Sequence, residues 1–159
     1  MLIYTVSFFG HRVIEDYRSV EGRLRAIVSE LIRTKEYVEF LVGRDGDFDI
    51  LAASVIRQAR KDYGSSNSSL ILMLPYMRAD YKKNERLYLE YYDEVEICEA
   101  SSEAYFKAAI QIRNRSMIDR SDLVVCCIDH NSGGAYKSMR YAESKGRGII
   151  NIAEDNAEI

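Results

Sequence analysis

Tryptophan is absent from this sequence, proline occurs once and histidine twice. The lone proline, Pro75, ends an apolar run, and no Pro/Gly/Ser-rich linker, internal repeat or low-complexity tract divides the chain. Cysteine is scarce and odd in number: Cys98, Cys126 and Cys127 sit in apolar, strand-like runs. That pattern excludes a disulfide framework and a cysteine metal cage, and fits buried thiols in a reducing compartment. No apolar run approaches the roughly 20 residues that span a bilayer, so no membrane partner is expected. The first residues, Met1-Leu2-Ile3-Tyr4, reach His11 and Arg12 too soon for a signal peptide and read as a strand. Excess positive charge is missing as well. The net charge of −3 argues against a dedicated nucleic-acid surface, and no nucleic-acid partner is expected. A cytoplasmic chain follows from these absences.

Several catalytic signatures are also missing. No Gly-x-Gly-x-x-Gly follows the first strand, no Walker lysine motif occurs, and there is no Gly-x-Ser-x-Gly elbow or closely spaced Cys–His pair. NAD-type, P-loop and hydrolase-elbow readings all weaken, and no cofactor or metal is expected.

What is present is an ordinary globular composition, 47% apolar and 30% charged in 159 residues, enough for one domain over residues 1–159. Apolar periodicity predicts strands at Leu2–Phe8, Glu39–Val42, Ser69–Leu74, Glu94–Cys98, Leu123–Ile128 and Gly148–Ile152. Between them, helices are predicted at Tyr17–Lys35, from an Asp47 or Asp49 cap to about Asp62, at Ala104–Met117 and at Ala135–Lys145. Tyr81–Tyr92 reads as irregular or short helical, and Ala153–Ile159 as a fraying end. Alternating strands and helices give βαβ units. The fold class is therefore α/β, Rossmann-like and doubly wound, with a mainly parallel sheet and helices on both faces.

In such a sheet, ligands bind outside the carboxyl ends of the strands. Three post-strand loops carry polar and glycine residues: Gly10-His11-Arg12, Gly43-Arg44-Asp45-Gly46-Asp47, and Asp129-His130-Asn131-Ser132-Gly133-Gly134. Both histidines lie in them. Arg12 and Arg44 suit phosphate or carboxylate, His11 and His130 suit hydrogen-bond donation to phosphate or proton transfer, and Gly43 and Gly46 allow positive φ and close approach. Gly133 and Gly134 precede a helix, where backbone N–H groups converge on an anion; Ser132 adds a hydroxyl and Asn131 tolerates a left-handed turn. Arg113 belongs to a basic stretch that can lean over the pocket, while Asp119 and Asp122 read as a turn and cap at the opposite end. Tyr76 and Tyr136 are placed to stack on a base. Each loop also has a plainer reading as a turn, cap or helix terminus.

Taken together, Gly10-His11-Arg12, the Gly43–Asp47 loop, Arg113–Asp119 followed by Ser121–Val125, and Ser132-Gly133-Gly134 resemble the SLOG superfamily, the Rossmann-like group of DprA and the LOG nucleotide phosphoribohydrolases. The resemblance covers most of the chain. It implies a pocket for a nucleotide or nucleotide-derived ligand, glycine loops around phosphate or ribose, and a homo-oligomer. The LOG loop, Pro-Gly-Gly-x-Gly-Thr with a nearby catalytic Glu, is not reproduced: Ala135-Tyr136-Lys137 follows Gly134, and the nearest downstream acid is Glu143. The leading expectation is a sensor or sequestering module for a nucleotide-type small molecule. The alternative is an enzyme that hydrolyses the N-glycosidic bond of a nucleoside phosphate or nucleotide-sugar, with Asp45, Asp47, His11 and His130 as candidate catalytic groups.

Overall fold

The computed structural model of the protein describes residues 1–154. The chain runs β1 (Ile3–Gly10), α1 (Tyr17–Thr34), β2 (Tyr37–Val42), α2 (Asp47–Tyr63), β3 (Ser68–Leu74), α3 (Ala79–Lys83), α4 (Glu85–Tyr91), β4 (Glu94–Ile97), α5 (Phe106–Arg120), β5 (Leu123–Cys127), α6 (Gly134–Ser144) and β6 (Gly148–Asn151). The strands form one six-stranded sheet in the order β4-β3-β2-β1-β5-β6, and every neighbouring pair is parallel. The chain thus builds outward from β1 to β4, then returns across the sheet to place β5 on the other side of β1. This reversal creates a topological switch point at the carboxyl ends of β1 and β5.

Strand alternation feeds two cores. Val6 and Phe8 of β1 join Phe40 of β2 and the inner stripes of α1 (Leu24, Ile27, Val28, Leu31) and α2 (Phe48, Leu51, Val55, Ile56). Phe9, Leu41, Ile71 and Val124 point the other way, onto Met117 and Ile118 of α5 and Ala142 of α6. Each fully buried Phe or Leu of this kind contributes about 1.5–3 kcal/mol relative to exposure. On the α5 side β1 carries the small Ser7, whose hydroxyl lies 2.5 Å from that of Ser121 and within reach of the Met117 carbonyl. At the far end Asp122 accepts the Thr5 N–H at 2.8 Å, while Asp119 accepts the Tyr141 hydroxyl. These two acids tie elements together, as their distance from the crevice implied.

Several boundaries differ from the sequence reading. β1 extends to Gly10 because it pairs along β5 as far as Cys127. The Tyr81–Tyr92 stretch forms two short helices held by an edge-on Tyr81–Tyr88 contact at 5.2 Å and a Tyr91–Tyr92 contact at 4.9 Å. Helix α5 runs to Arg120, and its inward face is part polar, with Arg113 and Asn114 buried beside Ala109, Met117 and Ile118. The N-cap of α2 is Gly46, without a side-chain cap, so neither Asp47 nor Asp49 caps that helix; both lie in its first turn. Cys98 and Cys126 are buried free thiols and Cys127 is half-buried; burial pushes the Cys126 thiol up to about 12. No described helix is long and apolar enough to cross a membrane. Of the closing segment expected to fray, residues 155–159 lie outside the described residues.

Candidate functional site

The switch point opens into a crevice of about 700 Å³. The end of β1 supplies Gly10, His11 and Arg12; the loop after β2 supplies Gly43, Asp45 and Gly46. Helix α5 adds Lys107, Gln111, Arg113 and Asn114, the loop before α6 adds Asp129, His130 and Gly133, and the start of α6 adds Gly134 and Lys137. Three loops distant in sequence therefore meet at one place, and the residues they bring fall into two unlike walls.

The first wall is a saturated polar network. Asp45 accepts from Arg113 at 2.8 Å and from Arg78 at 2.6 Å. Burial raises the Asp45 pKa, but the two guanidiniums outweigh it and hold the carboxyl below its ordinary value. Arg113, only 2% exposed, spends its other donors on the Met73 carbonyl (2.8 Å) and the Asn114 side chain (2.9 Å). Asn114 donates to Ser138, and Ser138 to the Gly134 carbonyl. The chain of bonds runs from the Asp45 loop through α5 to the first turn of α6, with each member satisfied.

Close packing explains the glycines of this wall. A Cβ on Gly10 would lie 2.3 Å from the Phe48 ring, and one on Gly46 would lie 2.8 Å from the Arg12 backbone. The Asp47 N–H donates to the Arg12 carbonyl at 2.8 Å, stitching the first two loops together. Gly43 and Gly46 do not adopt positive φ, contrary to expectation; they let chains and side chains approach.

The second wall is open. Gly133 has φ of +92° and delivers the chain into α6 without a side-chain cap. The first N–H groups of a helix lack intrahelical partners and carry the positive end of its dipole. Arg12, Lys107 and Lys137 line the same crevice and are exposed. At the mouth, the His11 and His130 rings stack at 3.5 Å, 9° from parallel. His130 shares Asp129 with His11, at 2.8 Å and 3.5 Å respectively. Burial, then the neighbouring His130, lowers the His11 pKa against the opposing pull of Asp129. The His130 hydrogen bond holds the Asp129 carboxyl below its usual range.

Some sequence candidates stand elsewhere. Arg44 turns onto the tyrosines of the first core, donating to the Tyr92 hydroxyl at 3.2 Å with its guanidinium 4.9 Å from the Tyr88 ring centre. Asp47 is exposed and does not line the crevice, nor do Asn131 and Ser132. No described non-glycine residue has positive φ, so Asn131 makes no left-handed turn. Tyr76 lies beneath Arg78, and Tyr136 packs against the second core; neither lines the crevice.

Other residues gain a place that sequence reasoning missed. Asp49 accepts the Asp45 N–H at 2.9 Å and lines the crevice; burial raises its pKa to about 6. Its position one helical half-turn past Asp47, on the inner side of α2, was the available signal. Lys107 and Lys137 sit in helical patterns that gave no hint of convergence. Tyr105 and Phe106, 66% and 59% exposed and in contact with each other, immediately precede Lys107.

No protein-family model matches the sequence, and no curated protein matches it either. Among solved structures, the fold is similar to that of DNA processing protein A (DprA) from Streptococcus pneumoniae, with a TM-score of 0.64 and 13% identity over 92% of this chain and 49% of that one. It is also similar to DNA processing protein A from Helicobacter pylori, a structure described for its single-stranded DNA binding mode, with a TM-score of 0.62 and 18% identity. That match covers 92% of this chain and 63% of the other, so this chain spans about half to just under two thirds of these neighbours. At the level of fold, the resemblance drawn from the loop motifs holds. The exclusion of a nucleic-acid partner does not. A neighbour of the same fold is described as binding single-stranded DNA, and net charge is a global quantity that leaves the local cations of one crevice uncounted.

Proposed function

We propose that the crevice binds a nucleotide or nucleotide-derived ligand through its phosphate, and that the protein acts as a binding module. One observation carries this reading: exposed Arg12, Lys107 and Lys137 converge on the switch-point crevice that also holds the uncapped Gly133–Gly134 start of α6. Aligned N–H groups with nearby cations form an anion site in water and a stronger one under partial burial. The exposed Tyr105–Phe106 pair next to Lys107 offers a face on which a base can stack.

The experiment is a titration of the purified chain with nucleoside mono-, di- and triphosphates, a thymidine oligonucleotide and inorganic phosphate, read by calorimetry and melting temperature. A ligand at 100-fold its dissociation constant stabilises the native state by about 2.7 kcal/mol. A melting shift with a free nucleotide, diminished in Arg12→Ala or Lys137→Ala, supports the reading; no response to any phosphate compound overturns it. A response confined to the oligonucleotide assigns the crevice to a strand, as the Helicobacter pylori neighbour's description would suggest. The family resemblance implies self-association as well, which light scattering of the purified chain checks.

A second reading rests on Asp49, the crevice carboxyl whose pKa lies at about 6. A carboxyl that exchanges its proton near neutral pH suits general acid–base work on an N-glycosidic bond. Chromatography of each titrated mixture separates the two readings: recovered ligand supports a binder, and released base an enzyme. Asp45, held in two ion pairs, is not the proton carrier in this scheme.

A further inference from the structure

The chain's two histidines, 119 positions apart in the numbering from 11 to 130, come into face-to-face contact at the crevice mouth. They also share a carboxylate. Nε2 of His11 lies 3.5 Å and Nδ1 of His130 lies 2.8 Å from the same Oδ1 of Asp129. One ligand atom from each of the three residues falls within 4.8 Å of the other two. The Asp129 backbone N–H donates to His11 Nε2 at 3.3 Å, so that nitrogen is the unprotonated one, and a cation takes its lone pair by displacing this long bond.

We propose that His11, Asp129 and His130 form a binding site for a divalent transition-metal cation of the zinc type. The donor set selects the metal. Two neutral imidazoles with one carboxylate favour zinc, cobalt or nickel, whereas magnesium and calcium prefer all-oxygen shells. Donors about 2.0–2.2 Å from a tetrahedral ion stand about 3.4 Å from one another, close to the spacing already present. Parallel rings cannot aim their in-plane lone pairs at one ion, so closing the site takes rotation of His130 out of the stack together with rotation of Asp129, whose side chains are 55% and 62% exposed. His11, with 13% side-chain exposure, is the fixed point. Three protein ligands leave a fourth position open toward the crevice that all three residues line. A water or a ligand oxygen can occupy it. The site stands on these side chains alone and does not depend on the nucleotide reading.

The test is a titration of the chelator-stripped full chain with Zn²⁺, followed by calorimetry and competition with a chromophoric chelator, and with Co²⁺, followed by its visible absorption. One equivalent of each metal is expected to bind, with the intense visible bands of low-coordinate Co²⁺. His130→Ala and Asp129→Asn each lower Zn²⁺ affinity at least about tenfold, since each removes a ligand. Both alter exposed side chains, so an unchanged melting temperature of the metal-free protein confirms that folding is intact. Absence of binding, binding unaltered in both variants, or equal competition by Mg²⁺ overturns the proposal. No nucleotide enters the experiment, so its failure leaves the phosphate reading standing, and the reverse holds too.

Discussion

The two walls of the crevice contain the same residue types and do opposite things with them. On one wall Arg113 and Asp45 are engaged: each of the three guanidinium nitrogens donates a hydrogen bond, and the carboxylate sits between two cations. On the other wall Arg12, Lys107 and Lys137 stand exposed around an uncapped helix start. A buried ion pair that already holds its partners has little to offer a ligand, because binding would require breaking bonds that burial makes expensive. An exposed cation beside free N–H groups has lost nothing in folding and can meet an incoming anion. The lesson is that an arginine in a loop motif marks either a brace or a grip, and its burial decides which. Substitutions should therefore separate the walls cleanly, stability falling on one and affinity on the other.

The largest effect is expected at the brace. Arg113→Ala strands a buried polar network, leaving Asn114 and the Met73 carbonyl without a donor and Asp45 with Arg78 alone. Removing one partner of a buried pair costs about 3–5 kcal/mol, and the surviving Arg78 contact places this case at the lower end, about 3 kcal/mol. Urea denaturation measures it. A loss under about 1 kcal/mol would show that the network is not the brace described.

Next comes Asp49, on the same wall but oppositely tuned. Its carboxyl pKa is raised by burial from 3.8 to about 6. The folded state therefore holds a proton that the unfolded state has released across that interval. Stability associated with this group is fully present below pH 3.8 and is lost as pH rises through about 6. Asp49→Asn retains an oxygen to accept the Asp45 N–H and removes the titration. At pH 7 the variant should be more stable than the parent by up to about 3 kcal/mol, and the difference should vanish below pH 3.8. Urea curves at stepped pH values check it; a pH-independent difference would locate the effect outside the carboxyl.

On the grip, Arg12→Ala and Lys137→Ala should each weaken nucleotide binding about tenfold, worth about 1.4 kcal/mol, with melting of the ligand-free protein unchanged. Calorimetry against the best nucleotide found in the titration measures the first, and a thermal melt the second. A stability loss like that of Arg113→Ala would erase the distinction between the walls.

Much of this molecule was readable from apolar spacing alone. The Leu24, Ile27, Val28 and Leu31 stripe announced α1, and the unbroken Ser69–Leu74 run announced a strand covered on both faces. Burial of apolar surface is a local, periodic signal. The crevice was readable as a place, since strand ends and a helix-opening Gly-Gly locate it. Its membership was less so. Arg44 and Arg113 look alike in sequence, yet one covers tyrosines and the other threads the network. Lys107 and Lys137 reach the site from helices, and the two histidines meet only through the pairing of β1 with β5. Those outcomes depend on three-dimensional partners, which no spacing along the chain encodes.

The smallest predicted effect discriminates most finely between Asp47 and Asp49, separated by one residue. Both stand in the first turn of α2, where a negative charge meets the helix dipole favourably. Asp47 is exposed and does not line the crevice, so water screens it. Asp47→Asn should therefore cost only the dipole contribution, roughly 0.3–0.5 kcal/mol, and leave both the pH dependence assigned to Asp49 and the nucleotide affinity in place. If Asp47→Asn instead abolished the pH dependence assigned to Asp49, the inward and outward faces of this turn would have to be exchanged. The acidic member of the crevice would then be the residue that the loop motif picked out first. Parallel urea curves for the two variants at pH 5 and pH 7 decide between them, because only a carboxyl shielded from water still holds its proton at pH 5 and releases it by pH 7.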